Sequence, residues 1–130
     1  MLDEVSGHVT TAPTGAIPCA VAGNPVTNTA YVANYGDDTV TVIDGARRAM
    51  IATVKVGLRP QAVAVDAKTN RVYVANTHSD DITVIDGARN SVLKTLSAGK
   101  NPYAIAVDPK NGKLYVASYG EPALAVVDPR

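Results

Sequence analysis

The chain has no Phe and no Trp, a single Cys and two Met among its 130 residues, and its 12 Lys+Arg are matched by 12 Asp+Glu. Each shortage excludes something. Without Phe or Trp, any core must be assembled from Val, Ile, Ala, Leu and Tyr. One cysteine, Cys19, rules out an intrachain disulfide framework and a Cys-rich zinc site. Zero net charge removes the clustered Lys/Arg that nucleic-acid binding requires, so no nucleic-acid partner is expected. No apolar run approaches the roughly 20 residues of a spanning helix, so no membrane insertion is expected. Met1-Leu2-Asp3-Glu4 has neither the cationic start nor the apolar stretch of a signal peptide. What remains is a chain that is 46% hydrophobic and long enough for one domain with a buried core.

What the sequence has is a repeat. Tyr31-Val32-Ala33-Asn34 returns as Tyr73-Val74-Ala75-Asn76 and as Tyr115-Val116-Ala117-Ser118, each time 42 residues on. The same step links Gly15, Gly57 and Gly99, then Pro18, Pro60 and Pro102, then Asp44, Asp86 and Asp128. That period suits four-stranded propeller blades. Helical repeats need an apolar spacing that is absent here, a leucine-rich repeat is shorter, and β-solenoid coils are usually shorter too. Each unit reads as four short strands of β-branched residues between Gly, Pro, Asn and Asp punctuation. The first follows the proline (Ala62–Val65, Ala104–Val107 and a shorter Ala20–Ala22). The second is Arg71–Asn76 and its equivalents, the third Asp81–Asp86. The fourth, Ser91–Leu96, mixes Lys and Thr with apolar residues, as an outer edge would. The expected fold is all-β: one three-blade module over 1–130, with repeats at about 13–54, 55–96 and 97–130.

Tyr-Val-Ala-Asn followed by Val-Thr-Val-Ile-Asp-Gly resembles the YVTN β-propeller repeat of microbial surface-layer and cell-envelope proteins. The resemblance covers nearly the whole chain. It implies radially arranged blades, commonly seven, with the post-proline strand innermost, and a location in the cell envelope or outside the cell.

Three blades make an open arc, because propellers close with about 4–8. Both end blades would then show an apolar face larger than soluble monomers tolerate. Residues 7–12 align with the fourth strands at 49–54 and 91–96, while the last blade stops after its third strand. The expected solution is a C2 homodimer closed into a six-bladed ring. The segment containing His8, Val9, Thr10 and Thr11 would complete the partner's last blade. A nine-bladed trimer, or a piece cut from a longer seven-bladed propeller, are the alternatives for the same repeat.

The repeats differ most in two loops that this architecture puts on one face. After the glycine they read Ala16-Ile17-Pro18-Cys19, Leu58-Arg59-Pro60-Gln61 and Lys100-Asn101-Pro102-Tyr103. Between the second and third strands they read Tyr35-Gly36-Asp37-Asp38, Thr77-His78-Ser79-Asp80 and Tyr119-Gly120-Glu121-Pro122. Constant strands with variable loops suit a scaffold that carries a recognition surface, although loops also vary where no ligand binds. Arg59, Gln61, Lys100, Tyr103, Tyr35, His78, Tyr119 and Glu121 are the ligand-face candidates. Tyr31, Tyr73 and Tyr115 are read as core, with hydroxyls satisfied between blades, and Cys19 as buried packing.

Asp44, Asp86 and Asp128, like Asn24, Asp66 and Asp108, are read as caps of their own turns. Asp37-Asp38 and Asp80-Asp81 give only weak metal signals, because adjacent strand residues face opposite ways. His78 has Ser79 and Asp80 beside it, but a catalytic triad is assembled in space rather than by adjacency. No catalytic residue, metal or cofactor is assigned. The expected function is a non-catalytic scaffold that binds itself and a protein or small-molecule ligand. A lyase or lactone hydrolase with a metal-assisted channel site is the enzymatic alternative, resting on fold analogy alone.

Overall fold

The computed structural model describes residues 11–119 and 124–130. Eleven strands fill the described chain: β1 Pro18–Asn24, β2 Thr29–Asn34, β3 Thr39–Asp44, β4 Ala49–Lys55, β5 Pro60–Asp66, β6 Arg71–Asn76, β7 Asp81–Asp86, β8 Ser91–Ser97, β9 Pro102–Val107, β10 Leu114–Ser118 and β11 Ala125–Val127. They form three antiparallel meanders, β1-β2-β3-β4, β5-β6-β7-β8 and β9-β10-β11. The all-β propeller architecture holds. Two blades have four strands. The third has three among the described residues, and its β11 is only three residues long.

Strand order follows sequence order because the fully described connections within the blades are tight turns. Left-handed residues recur at the same places: Asn28, Asn70 and Gly112 after the first strand of each blade, and Arg48 and Asn90 after the third. Asn and Gly tolerate that region best, which is why turn chemistry of this kind marks blade corners. The first strand is longer than expected in blade one, running from Pro18 to Asn24 rather than over three residues. Of the expected exchange strand, His8, Val9 and Thr10 lie outside the described residues, and Thr11 is exposed and irregular.

β1, β5 and β9 lie side by side as the innermost strands. The core sits between blades rather than within a closed barrel. One cluster joins Tyr31, Val40, Val42 and Val54 of the first blade to Val72, Val74 and Ile85 of the second. Its counterpart joins Tyr73, Ile82 and Val84 of the second blade to Leu114 and Val116 of the third. Apolar residues on both faces of β2, β3, β6 and β7 are therefore what stacking requires. The outermost β4 and β8 expose Met50, Ile51, Val92 and Leu93.

Candidate functional site

Antiparallel geometry sends the loops before each innermost strand and the loops after each second strand to the same face. The backbone ties them together within each blade. Tyr35 N–H donates to Ile17 O at 2.9 Å, Thr77 N–H to Arg59 O at 3.0 Å and Tyr119 N–H to Asn101 O at 3.1 Å. Carboxylates carry the frame from one blade to the next. Asp38 accepts the Arg59 N–H at 2.8 Å, and Asp80 accepts the Asn101 N–H at 2.8 Å. Asp37 holds Ala16 N–H at 2.7 Å, while Asp81 receives Asn76 Nδ2 and Ser79 Oγ, both at 2.9 Å. These acids stitch loops and blades. Among the described residues, no three His, Cys, Asp or Glu side chains form a group that could hold a metal.

A β-bulge opens the innermost strand of every blade. Register slips between Pro18 and Ala20 and between Pro60 and Ala62, and Ser118 pairs with Pro102 while Ala117 pairs with Ala104. The unpaired residues are Cys19, Gln61 and Tyr103. A bulge re-aims its side chain, so this backbone feature can carry different chemistry in each blade.

Two groups of candidate residues assemble on the frame. At the seam of blades one and two, the Arg59 guanidinium carbon lies 5.0 Å from the centre of the Tyr35 ring, and Arg59 Nη1 donates to the Tyr35 carbonyl at 3.4 Å. His78 meets Tyr35 edge-on, with centroids 6.2 Å apart at 70°. In blade three, Tyr103 and Tyr119 stack at 4.3 Å and 28°, both exposed. Gln61 is tied down. Its amide lies 2.9 Å from Thr77 Oγ1, whose proton goes to the Pro102 carbonyl at 2.7 Å, so the amide must be the donor to that hydroxyl. Lys100 is exposed on the third lead-in loop, and Glu121 lies outside the described residues.

Ser79 and Asp80 do not act on His78. Ser79 bonds Asp81 and the Leu58 N–H, and Asp80 bonds Asn101. What the face offers is flat aromatic surface next to a guanidinium, which is suited to recognition.

The comparisons with known proteins follow the same geometry. A family model described as YNCE-like beta-propeller matches residues 5–123. The chain belongs to the YNCE-like beta-propeller family. No curated protein sequence matches it. Among solved structures, this YNCE-like chain is similar to Kuenenia stuttgartiensis hydrazine synthase, with 27% identity and a TM-score of 0.84 over 95% of this chain and 35% of that one. It is also similar to the beta-propeller domain of Cps50 (Swd1) from Myceliophteria thermophila, with 11% identity and a TM-score of 0.72 over 88% of this chain and 38% of that one. The second likeness speaks for the fold alone. The YNCE-like chain thus spans little more than a third of each of these two solved chains.

Two readings of single residues need correction. Cys19 is exposed rather than buried, because the bulge turns it out of the sheet; its thiol donates to the Pro60 carbonyl at 3.2 Å. Partial burial raises its pKa above the usual thiol value, with backbone hydrogen bonds from Tyr35 and Cys19 pulling the other way. Tyr31 and Tyr73 are core as expected, but their hydroxyls make no hydrogen bond to a described residue, and the Tyr115 hydroxyl bonds Asp108 of its own blade at 3.1 Å, not a neighbour. The turn-capping acids do cap: Asp44 accepts Ala46 N–H, Asp86 accepts Ala88 N–H and Asp128 accepts Arg130 N–H, at 2.9–3.1 Å.

Proposed function

We propose that this chain is a non-catalytic propeller scaffold whose arc is closed by a second copy into a six-bladed ring. Its loop face, carrying Tyr35, Arg59 and His78 beside the Tyr103–Tyr119 stack, then engages a protein or small-molecule ligand. One comparison within the chain carries the assembly. Val40 and Ile82 are 0% exposed at equivalent positions, as are Val42 and Val84, yet their third-blade counterparts Leu124 and Val126 are 57% and 58% exposed. The same apolar surface is covered twice by the next blade and left open the third time. At the other end Val21 is 68% exposed, whereas its equivalents Val63 and Ile105 pack against the inter-blade clusters.

The two open faces are the two halves of a contact the chain already makes with itself twice. A second copy brings the matching half to each, which closes a C2 ring at two identical seams. The exchange of the segment at 7–12 onto β11 is supported by the three-stranded state of the last blade among the described residues.

Light scattering after gel filtration tests the assembly. The reading expects twice the chain mass of 13.5 kDa at micromolar concentration, falling to one chain mass in Leu124→Lys/Val126→Lys with the strand signal in circular dichroism retained. A wild-type species of one chain mass persisting at that concentration would overturn it. A second reading, in which further blades of a longer chain cover these edges, is favoured by the 35% and 38% spans of the solved neighbours. In that case the isolated chain stays monomeric or aggregates instead of forming a discrete dimer.

A further inference from the structure

The face opposite the variable loops carries three equivalent positions, Asn24, Asp66 and Asp108, at the ends of the innermost strands. Each turns Oδ1 onto a backbone N–H two residues on, that of Val26, Lys68 or Lys110, at 2.9–3.1 Å. They differ in their remaining side-chain atom. Asn24 Nδ2 donates to Oδ1 of Asn70 in the next blade at 3.0 Å. Asp108 Oδ2 accepts the Tyr115 hydroxyl at 3.1 Å. Asp66 Oδ2 makes no hydrogen bond to a described residue, although Asp66 is only 6% exposed.

A single residue accounts for this. The position held by Asn70 in the second blade is Gly112 in the third, where a Cβ would stand 3.5 Å from Asp66 Oδ2. With no side chain there, a cleft of about 210 Å³ opens between the blades, lined by Asp66, Lys68, Arg71, Tyr73, Lys110 and Gly112 among others. The Tyr73 hydroxyl on its wall is also without a hydrogen bond to a described residue. Ion pairs among the described residues join Arg47 to Asp44 and Arg130 to Asp128, so Lys68, Arg71 and Lys110 make none, although Arg71 lies opposite Asp66 and Asp86 in the sheet register. An adjoining hollow of about 320 Å³, lined by Val65, Val107 and Pro109, shares Asp66 and Lys68.

A carboxylate oxygen can only accept, and Asp66 Oδ2, given no donor by a described residue, is open to one from the cleft. The cleft therefore calls for a donor at Asp66 and an anion at the cationic rim. Three cations against one carboxylate repel an ammonium group or a metal ion, so the donor must be neutral. We propose that this cleft binds a small hydroxy acid. Its carboxylate meets Lys68, Arg71 and Lys110, its hydroxyl donates to Asp66 Oδ2, and an aliphatic tail enters the hollow beside Val65 and Val107.

Amide chemical-shift titration of the full chain with 2-hydroxy-4-methylpentanoate tests this. Saturable shifts are expected at Lys68, Arg71, Lys110 and Gly112, with binding at least tenfold weaker for 4-methylpentanoate, which lacks the hydroxyl, and for leucine, which carries an ammonium. Gly112→Asn should abolish binding while keeping the fold, because Asn28 and Asn70 already hold this corner at φ 54. Absence of saturable shifts in the wild type overturns the proposal. So does equal binding of 4-methylpentanoate or inorganic phosphate, which would mark an adventitious anion site only, and so does undiminished binding by Gly112→Asn.

Discussion

A matched pair of truncations, Ile82→Ala and Leu124→Ala, separates what a neighbouring blade contributes from what a strand contributes alone. The two residues occupy the same repeat position on the trailing face of their blades. Ile82 is fully buried against Leu114, Val116 and their surroundings, so its truncation loses transfer energy and leaves a cavity, about 2–5 kcal/mol together. Leu124 has less than half its surface out of water. Full burial of such a side chain is worth about 1.5–3 kcal/mol, so its share is about 1 kcal/mol, with no cavity cost because the site is open. Urea unfolding at concentrations low enough to keep the chain monomeric reads both values by linear extrapolation. Raising the concentration should leave the Ile82 difference unchanged and enlarge the Leu124 difference as a second copy covers it. Equal costs in the monomer, or a Leu124 cost that ignores concentration, would refute the reasoning.

Ile17 is a β-branched residue at φ 51, where the third repeat has Asn101 at φ 51; Ile17→Asn should stabilise the chain by about 1 kcal/mol in the same urea assay. Gly57→Ala should destabilise by about 1–3 kcal/mol, because its Cβ would stand 2.4 Å from Ser79 Oγ and 2.7 Å from the Asn76 amide. In a spectrophotometric titration, Tyr31, Tyr73 and Tyr115 should ionise above the ordinary phenol value, the first two chiefly through burial and Tyr115 through its bond to Asp108; Tyr115→Phe should remove one of these late steps. The Asp108 carboxyl is held below its usual range by the Lys110 N–H first and the Tyr115 hydroxyl next, so its contribution to stability is present above about pH 4 and is lost as pH falls through the lowered value. A plot of midpoint urea concentration against pH should therefore lose its acid-side slope in part in Asp108→Asn. Cys19, with its raised pKa, should alkylate with iodoacetamide more slowly than free cysteine at neutral pH despite its exposure.

The candidate site was only partly legible before folding. Variation between repeats picked out Arg59, Tyr35, His78, Tyr103 and Tyr119, and the structure pairs them as Arg59–Tyr35–His78 and Tyr103–Tyr119. Which residue meets which depends on the bulges at 19, 61 and 103, and a bulge leaves no mark in the hydrophobic pattern. The roles of Asp38 and Asp80 as links between blades were missed, because a carboxylate in a loop reads as a turn cap whichever backbone it finally reaches. The unpartnered oxygen of Asp66 was hidden for a similar reason. Its only trace is a glycine at 112 where the first two repeats have Asn28 and Asn70.

The amino-acid order alone determined the 42-residue period, the strand content and the blade corners, because these are local properties: β-branched runs, left-handed Asn and Gly, and a core pattern repeated in register. Only the folded arrangement decided which apolar faces are covered, which loop acids reach the next blade and where a missing side chain leaves a cleft. Those outcomes depend on the distance between groups 21 to 46 residues apart in sequence, as with Asp38 and Arg59 or Asn24 and Asn70. Such distances are set when whole sheets stack against one another, which no single repeat encodes.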